Sequence, residues 1–345
     1  MSGRYWRRSP GTSAQQSGLN ASVLALYARH PAGGPMRLTL IHNAVAGNEQ
    51  PSPEQLIALG RNAGYRVRYQ DAHAEEFARV LDEPADVVLV AGGDGTVAKV
   101  AKHLVGRDVP LAVLPLGTAN NIALTFEIRG SARDIMEGLS ESTTTPMDVA
   151  RATAPWGSRP FIEAAGTGFF AGVLRDVHDR EARTDVEQPT TPVEDAARRM
   201  LRALDAYRPV RRHVLADGED LSGRYLLVEA MNIRSIGPRM VLAPDAHPGD
   251  GYLDLVLVRE TDGRAFAEYL GGIADGAERV SPFETRRVRR ISFVWDSAHG
   301  HLDDEPWPAE GGGDSAPVVD VEIVDPPILV LVPAFKAMGG AGRFR

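Results

Sequence analysis

The stretch Asp86-Val-Val-Leu-Val-Ala-Gly-Gly-Asp-Gly-Thr-Val-Ala-Lys-Val100 runs an apolar strand through a glycine-rich bend into a helix. An unbroken apolar run of this kind suits a strand buried on both faces. Backbone N–H groups at the start of the following helix lack partners and point outward, and the helix dipole adds positive potential there. Glycine lets an anion approach closely, so the bend is suited to a phosphate. The flanking sequence repeats the alternation. Upstream, residues 38–41 are a short apolar run, residues 53–64 carry helical spacing, residues 65–69 alternate as a strand, and residues 74–81 read as a helix ending before Pro84. Downstream come a strand over residues 111–114, the turn Pro115-Leu-Gly117 and a helix over residues 118–126. Strands alternating with helices predict a parallel sheet covered on both faces.

Three chemistries compete for the glycine bend. Gly93-Asp-Gly-Thr-Val-Ala98 fits the dinucleotide pattern G-x-G-x-x-A, but Pro115-Leu-Gly117 stands where an acidic residue should hold the ribose, which leaves an NAD-dependent oxidoreductase as a remote alternative. A Walker loop fails because no Gly-Lys-Ser/Thr follows the first glycine at the required spacing. Asp94 discriminates further: a carboxylate in a phosphate cradle repels its ligand unless a divalent cation or hydroxyl donor lies between them, the condition that a Mg²⁺-bound nucleotide meets. The alternative is that Asp94 stabilises the turn or caps a helix.

Past Asp148 strand candidates crowd together, at residues 161–165, 211–215, 225–231, 253–258, 288–295 and 318–323, predicting a mostly antiparallel sheet or sandwich. One helical insert, residues 192–207, sets Met200, Leu201 and Leu204 against Arg198, Arg199 and Arg202. Gly311-Gly-Gly313 reads as a hairpin or surface loop. The composition is that of a soluble globular protein. With 38 Lys and Arg against 46 Asp and Glu, a nucleic-acid partner is not expected. The absence of cysteine removes disulfides, cysteine-ligated metals and cysteine nucleophiles. No apolar run approaches the roughly 18 to 20 residues of a spanning helix. Residues 1–35, arginine-bearing and free of acids, read as a disordered leader. Arg286-Arg-Val-Arg-Arg290 and the arginines from Arg198 to Arg212 are either exposed faces or a surface for anionic lipid. His299 and His301, two apart, read as a solvated or packing pair, too few for zinc.

The paired motifs Gly92-Gly-Asp-Gly-Thr96 and Pro115-Leu-Gly-Thr-Ala-Asn120 resemble, in order and interval, the nucleotide loop and second signature of the diacylglycerol kinase catalytic-domain superfamily. That group includes bacterial lipid kinases and sphingosine kinases and is distantly related to NAD kinases and phosphofructokinases. Ile41-His-Asn-Ala-Val-Ala-Gly47 is similar to its opening strand and turn, and Met147-Asp-Val149 to the start of its second domain. Ala243-Pro-Asp-Ala246 with Asp250-Gly251 resembles its metal-binding turn, and Asp303-Asp-Glu305-Pro306 its Asp-Gly-Glu-Pro catalytic turn.

The resemblance implies an α/β nucleotide-binding domain over residues 36–147, Rossmann-like in the phosphofructokinase and NAD-kinase manner. A β-rich sandwich-like domain over residues 148–325 follows, then a segment, 326–345, packing back on the first domain. The active site falls in the cleft between domains. ATP would contact Asn43, Gly47, Gly92, Gly93, Asp94, Gly95, Thr96, Gly117, Thr118 and Asn121. Mg²⁺ would be held by Asp250 with carbonyls of His247 and Tyr252. Glu305 or Asp303 would accept the proton of a lipid or small-molecule alcohol, with Asp94 acting through Mg²⁺ or water. The implied location is cytoplasmic, with peripheral contact at the inner membrane face and homodimer formation both open. Four departures stand out: Ala98-Lys99 replaces Asn-Glu, and Asn121, Phe170 and Asp304 replace aspartate, aspartate and glycine. These favour a second reading, a nucleotide-binding regulator or pseudoenzyme that transfers nothing.

Overall fold

The computed structural model describes residues 34–44, 51–74, 77–184, 192–277, 279–295, 300–308 and 317–334. Gly47, His299, residues 311–313, nearly all of the expected leader and residues 335–345 lie outside the described residues. Strands β1 (Arg37–His42), β2 (Arg66–Asp71), β3 (Val87–Gly92) and β4 (Leu111–Pro115) are parallel and lie in the order β4-β3-β1-β2. Every residue of β3 is buried, as its apolar run dictates. Helices Pro53–Asn62, Phe77–Asp82 and Asp94–Leu104 connect these strands. Ser52 and Gln55 form a capping box at the first, with proline in its opening turn. Because the chain steps from β1 outward to β2 and then back to β3 on the other side, the strand order reverses between β1 and β3. Open α/β sheets bind ligands at such a point, beyond the carboxyl ends of the strands.

The second half supplies β5 (Thr143–Ala154), β6 (Gly157–Phe161), β7 (Ala164–Gly168), β8 (Val210–Arg212), β9 (Val214–Ala216), β10 (Glu219–Asp220), β11 (Gly223–Met231), β12 (Ser235–Ile236), β13 (Met240–Val241), β14 (Leu253–Arg259), β15 (Glu284–Val288), β16 (Arg290–Val294), β17 (Gly300–Leu302), β18 (Glu305–Pro306) and β19 (Val318–Val332). An antiparallel sheet runs β15-β14-β11-β7-β17-β18. The remaining long strands extend the nucleotide sheet, because β19 pairs parallel with β4 at Val330 and Leu331 and antiparallel with β5 and β16. Phe161, Tyr225, Phe293, Trp295 and Trp307 share a buried apolar cluster with strands of both sheets, the packing of a sandwich.

Helices exceed the sequence expectation in this half. Phe169–Thr184 and Gly263–Ala274 join the expected insert, which forms Val193–Leu204. Gly271 and Gly272 argue against a helix by propensity, but Phe266, Tyr269, Leu270 and Ile273 lie at helical spacing and are all buried. In the first half, Ala132–Gly138 was not foreseen although Ser131 and Asp134 cap it. The helix expected over residues 118–126 shortens to Asn121–Thr125, because Asn120 adopts a left-handed φ of 54°. Among the described residues, no helix is long and apolar enough to cross a membrane.

Candidate active site

β3 ends at Gly92, and the helix Asp94–Leu104 begins with Gly93 as its N-cap, so no side chain claims the first amides as a cap. The turn after β4 closes against this bend. A Cβ on Gly117 would strike the Gly93 Cα, and one on Gly93 would lie 3.2 Å from the Gly117 Cα, so the two loops touch main chain to main chain. Asp94 joins them: its Oδ2 accepts from the Asn121 N–H and its Oδ1 from the Ile122 N–H, each at 2.9 Å. Burial pushes its pKa up, opposed by these amide bonds. Both oxygens are thus used on the backbone, and the turn-stabilising reading of Asp94 is the one its contacts carry.

Asn43 leaves β1 beside this bend. Its N–H donates to the Ala91 carbonyl at 2.9 Å, and its Nδ2 donates to Thr96 Oγ1 at 3.2 Å. His73 Nε2 lies 3.0 Å from Asn43 Oδ1, an acceptor, which makes that nitrogen the donor. No spacing in the sequence marks His73; only the parallel pairing of β1 and β2 brings it here. The carbonyls of Thr118 and Ala119 accept from Arg239 at 3.1 and 3.0 Å, a clasp from the second half onto the second loop. Asn121, expected to contact ATP, is instead buried between the halves. Its Nδ2 donates to the Gly237 carbonyl at 3.0 Å and its Oδ1 accepts from Ser235 Oγ at 2.9 Å.

The hairpin of β17 and β18 brings the acidic turn to this cradle, and its three carboxyls diverge. Asp303, at φ 54°, turns inward: Oδ1 accepts from the amides of Ile162 at 3.0 Å and Glu163 at 2.8 Å, and Oδ2 pairs with Lys102 at 3.1 Å. Asp304 crosses to the nucleotide bend, where a Cβ on Gly95 would strike its Oδ2. Glu305 turns aside, exposed, with Oε2 3.4 Å from Arg159. It lines a cavity of about 260 Å³ with Lys99, Lys102, His103, Arg159, Pro160 and Leu302.

Crowding by the cleft walls, then repulsion from Asp303 and Glu305, pushes the Asp304 pKa up to about 6, with Lys102 opposing. Asp304 nonetheless reaches solvent; water screens part of the crowding, while the repulsion keeps the shift upward. Glu163, fully buried, is held well above the usual carboxylate range by burial and then by Asp94, Asp303 and Asp304.

The expected metal turn has a different counter-charge. Asp250 Oδ1 accepts from the Tyr252 N–H at 3.0 Å, and its Oδ2 binds Arg287 at 2.6 Å. The His247 carbonyl accepts from the Gly249 N–H at 2.8 Å. Arg287 and Arg289 lie over the Tyr252 ring, 4.1 and 4.8 Å from its centre. No three acidic or histidine side chains converge as a metal group among the described residues. A guanidinium thus sits on the outer oxygen of Asp250, the carboxylate expected to hold Mg²⁺ with the carbonyls of His247 and Tyr252.

The same pairing changes the reading of Arg286–Arg290 as a lipid-facing patch. Arg286 binds Glu219 and Glu284 at 2.6 and 2.7 Å, and Arg290 lies 3.5 Å from Glu322, so much of that charge is neutralised within the chain.

Comparison with known proteins agrees with this architecture. The profile of the Diacylglycerol kinase catalytic domain matches residues 37–152, and that of the YegS C-terminal NAD kinase beta sandwich-like domain matches residues 179–331. A diacylglycerol kinase of Mycobacterium tuberculosis is 27% identical over 253 residues, covering 70% of this chain and 78% of its own. A diacylglycerol kinase of Bacillus subtilis is 25% identical over 240 residues, covering 66% of this chain and 75% of its own. The crystal structure of a diacylglycerol kinase from Bacillus anthracis shares the fold, with a TM-score of 0.62 at 18% identity over 87% of this chain and 97% of that one. Both halves match in their order along the sequence, and the chain belongs to the diacylglycerol kinase catalytic-domain superfamily, whose named relatives include lipid kinases.

Proposed function

We propose that this protein transfers the γ-phosphoryl group of ATP to a hydroxyl of a lipid, in the manner of a diacylglycerol kinase. One observation carries the reading: the second half presents a carboxylate, Asp304, directly over Gly95 of a glycine cradle at the sheet's switch point. Phosphoryl transfer asks mainly for positioned phosphates, neutralised charge and a carboxylate near the attacking hydroxyl. The open amides at the start of the helix Asp94–Leu104 receive phosphate oxygens, and the contact of Gly93 with Gly117 keeps both loops low enough for that approach. Asn43 and His73 hold Thr96 at the rim.

Around buried Glu163 lie the carboxyls of Asp94, Asp303 and Asp304, with Lys102 as the counter-charge. A polyphosphate entering this acidic cleft needs a divalent cation, so Mg²⁺ travelling on the nucleotide fits its charge. When bound, that ion neutralises charge building on the phosphates.

The test is ADP release by the full chain with ATP and Mg²⁺, comparing diacylglycerol in mixed micelles with a water-soluble alcohol such as glycerol. Micelle-dependent release supports the lipid reading, and release with glycerol alone moves the acceptor to a soluble alcohol. Absence of Mg²⁺-assisted ATP binding by calorimetry overturns the assignment. A second reading, a nucleotide-binding regulator, draws on Asn121, whose amide is used up in joining the halves. ATP affinity without turnover on any acceptor identifies it.

A further inference from the structure

We propose that His73 is a positioning residue for the nucleotide: by donating its Nε2 proton to Asn43 it sets the direction of a hydrogen-bonded relay that leaves the Thr96 hydroxyl free to donate to a phosphate oxygen of ATP. This rests on the kinase reading above. The sheet builds the relay. β1 and β2 pair with His42 opposite Asp71, so the residues just past their carboxyl ends, Asn43 and His73, leave side by side at the switch point. The His73 N–H donates to Asp71 Oδ1 at 2.8 Å, which pins its main chain, and His73 Nε2 lies 3.0 Å from Asn43 Oδ1. Asn43 Nδ2 donates onward to Thr96 Oγ1 at 3.2 Å. Thr96 in turn leans on the bend itself, since a Cβ on Gly92 would lie 3.0 Å from its Oγ1.

A carboxamide has one accepting end and one donating end, so the relay runs in only two ways. With a proton on His73 Nε2, Asn43 accepts there and donates to Thr96. The threonine oxygen is then an acceptor toward Asn43, and its own O–H proton is left for another partner. Among the described residues no acceptor takes that proton, and Thr96 stands in the first turn of the helix Asp94–Leu104, where phosphate oxygens are received. With an acceptor in place of the Nε2 proton, the amide turns over and Thr96 gives its proton to Asn43 Oδ1. Only oxygen lone pairs then face the phosphate, and they repel it. Histidine suits the first direction, because an imidazole carries a proton on Nε2 either as one neutral tautomer or as the cation, and its exposed ring leaves Nδ1 to water.

Calorimetric titration of the full chain with ATP and Mg²⁺ tests this at about pH 8, where a new carboxylate is ionised. The proteins compared are wild type, His73→Gln, His73→Glu and the same two substitutions in Thr96→Val, with urea denaturation to check folding. Glutamine keeps a donor where Nε2 stood, and glutamate offers only acceptors. His73→Gln should bind ATP within about threefold of wild type, and His73→Glu about tenfold or more weakly, the range of a hydrogen bond to a charged group. In Thr96→Val, which has no hydroxyl to direct, the difference between the two His73 substitutions should fall to about twofold or less. A difference that stays near tenfold in Thr96→Val overturns the inference, since it then reports only charge beside the nucleotide. Equal binding by His73→Gln and His73→Glu in the threonine-bearing protein overturns it too. A wild type without Mg²⁺-assisted ATP binding removes the kinase reading and this inference together, whereas a wild type that binds ATP, with either of those outcomes, removes this inference alone.

Discussion

His301 Nε2 stands 2.9 Å from Glu229 Oε2, with both side chains wholly buried, while His301 Nδ1 lies 2.7 Å from the Asp303 carbonyl. A carbonyl only accepts, so Nδ1 carries a proton and Nε2 shares a second one with the carboxyl of Glu229. Burial alone would lower the histidine pKa, but the Glu229 charge outweighs it and the net shift is upward. Phe170 meets the imidazole edge to face at 5.0 Å, so the aromatic that replaces an expected aspartate shields this pair. The pair holds the main chain from which Asp303 and Asp304 diverge. His301→Ala leaves Glu229 buried without its partner and should cost about 3–5 kcal/mol in urea denaturation; Glu229→Gln, which leaves no stranded charge, should cost less.

Gly117 and Gly95 predict opposite kinds of damage. A methyl at Gly117 meets the Gly93 main chain, which cannot swing away, so Gly117→Ala should destabilise by about 1–3 kcal/mol and weaken ATP binding. A methyl at Gly95 meets only the end of the Asp304 side chain, which can rotate. Gly95→Ala should therefore leave the urea midpoint nearly unchanged while weakening ATP binding at least tenfold by calorimetry, by filling the approach to the bend.

Asn121→Ala removes the bonds to Gly237 and Ser235 and leaves both partners without that contact in the join between halves. A cost of about 1–3 kcal/mol is expected. Hydrogen exchange should show faster opening of residues 235–241 than of β3, which would place the loss at the join and spare the nucleotide sheet.

Asp254 gives a pH prediction with a definite sign. It is 7% exposed, and burial, followed by repulsion from Asp250, pushes its pKa to about 6, with Arg287 opposing. A carboxyl raised on folding contributes stability below its unfolded pKa, and that contribution is lost as pH rises through the folded value. Wild type should therefore fall behind Asp254→Asn between about pH 4 and pH 7, by at most about 2–3 kcal/mol. Thermal unfolding of both proteins across that range checks it; a constant gap would show that Asp254 does not titrate there.

Much of the nucleotide half is legible in local sequence because its signals are local: the apolar run of β3, the glycine bend, the helix behind it. The second half writes its contacts over distance. Lys102 is a helix lysine like any other until the fold brings Asp303 to it from 201 residues away. Which acid of Asp303, Asp304 and Glu305 meets the cradle depends on the left-handed backbone at Asp303, and three adjacent acids carry no mark of that. The resemblance of its turn marks Asp250 as an ion ligand, but the arginine that pairs with it stands on a neighbouring strand, at a pairing only the register of β14 with β15 reveals.

The long strand β19 carries a mechanical consequence. Its final residues are laddered to β4 and its opening residues to β16, with β5 paired to both ends, so one continuous main chain rivets the nucleotide sheet to the sandwich. Opening the molecule like a clamshell along that seam would rupture several interstrand bonds at once.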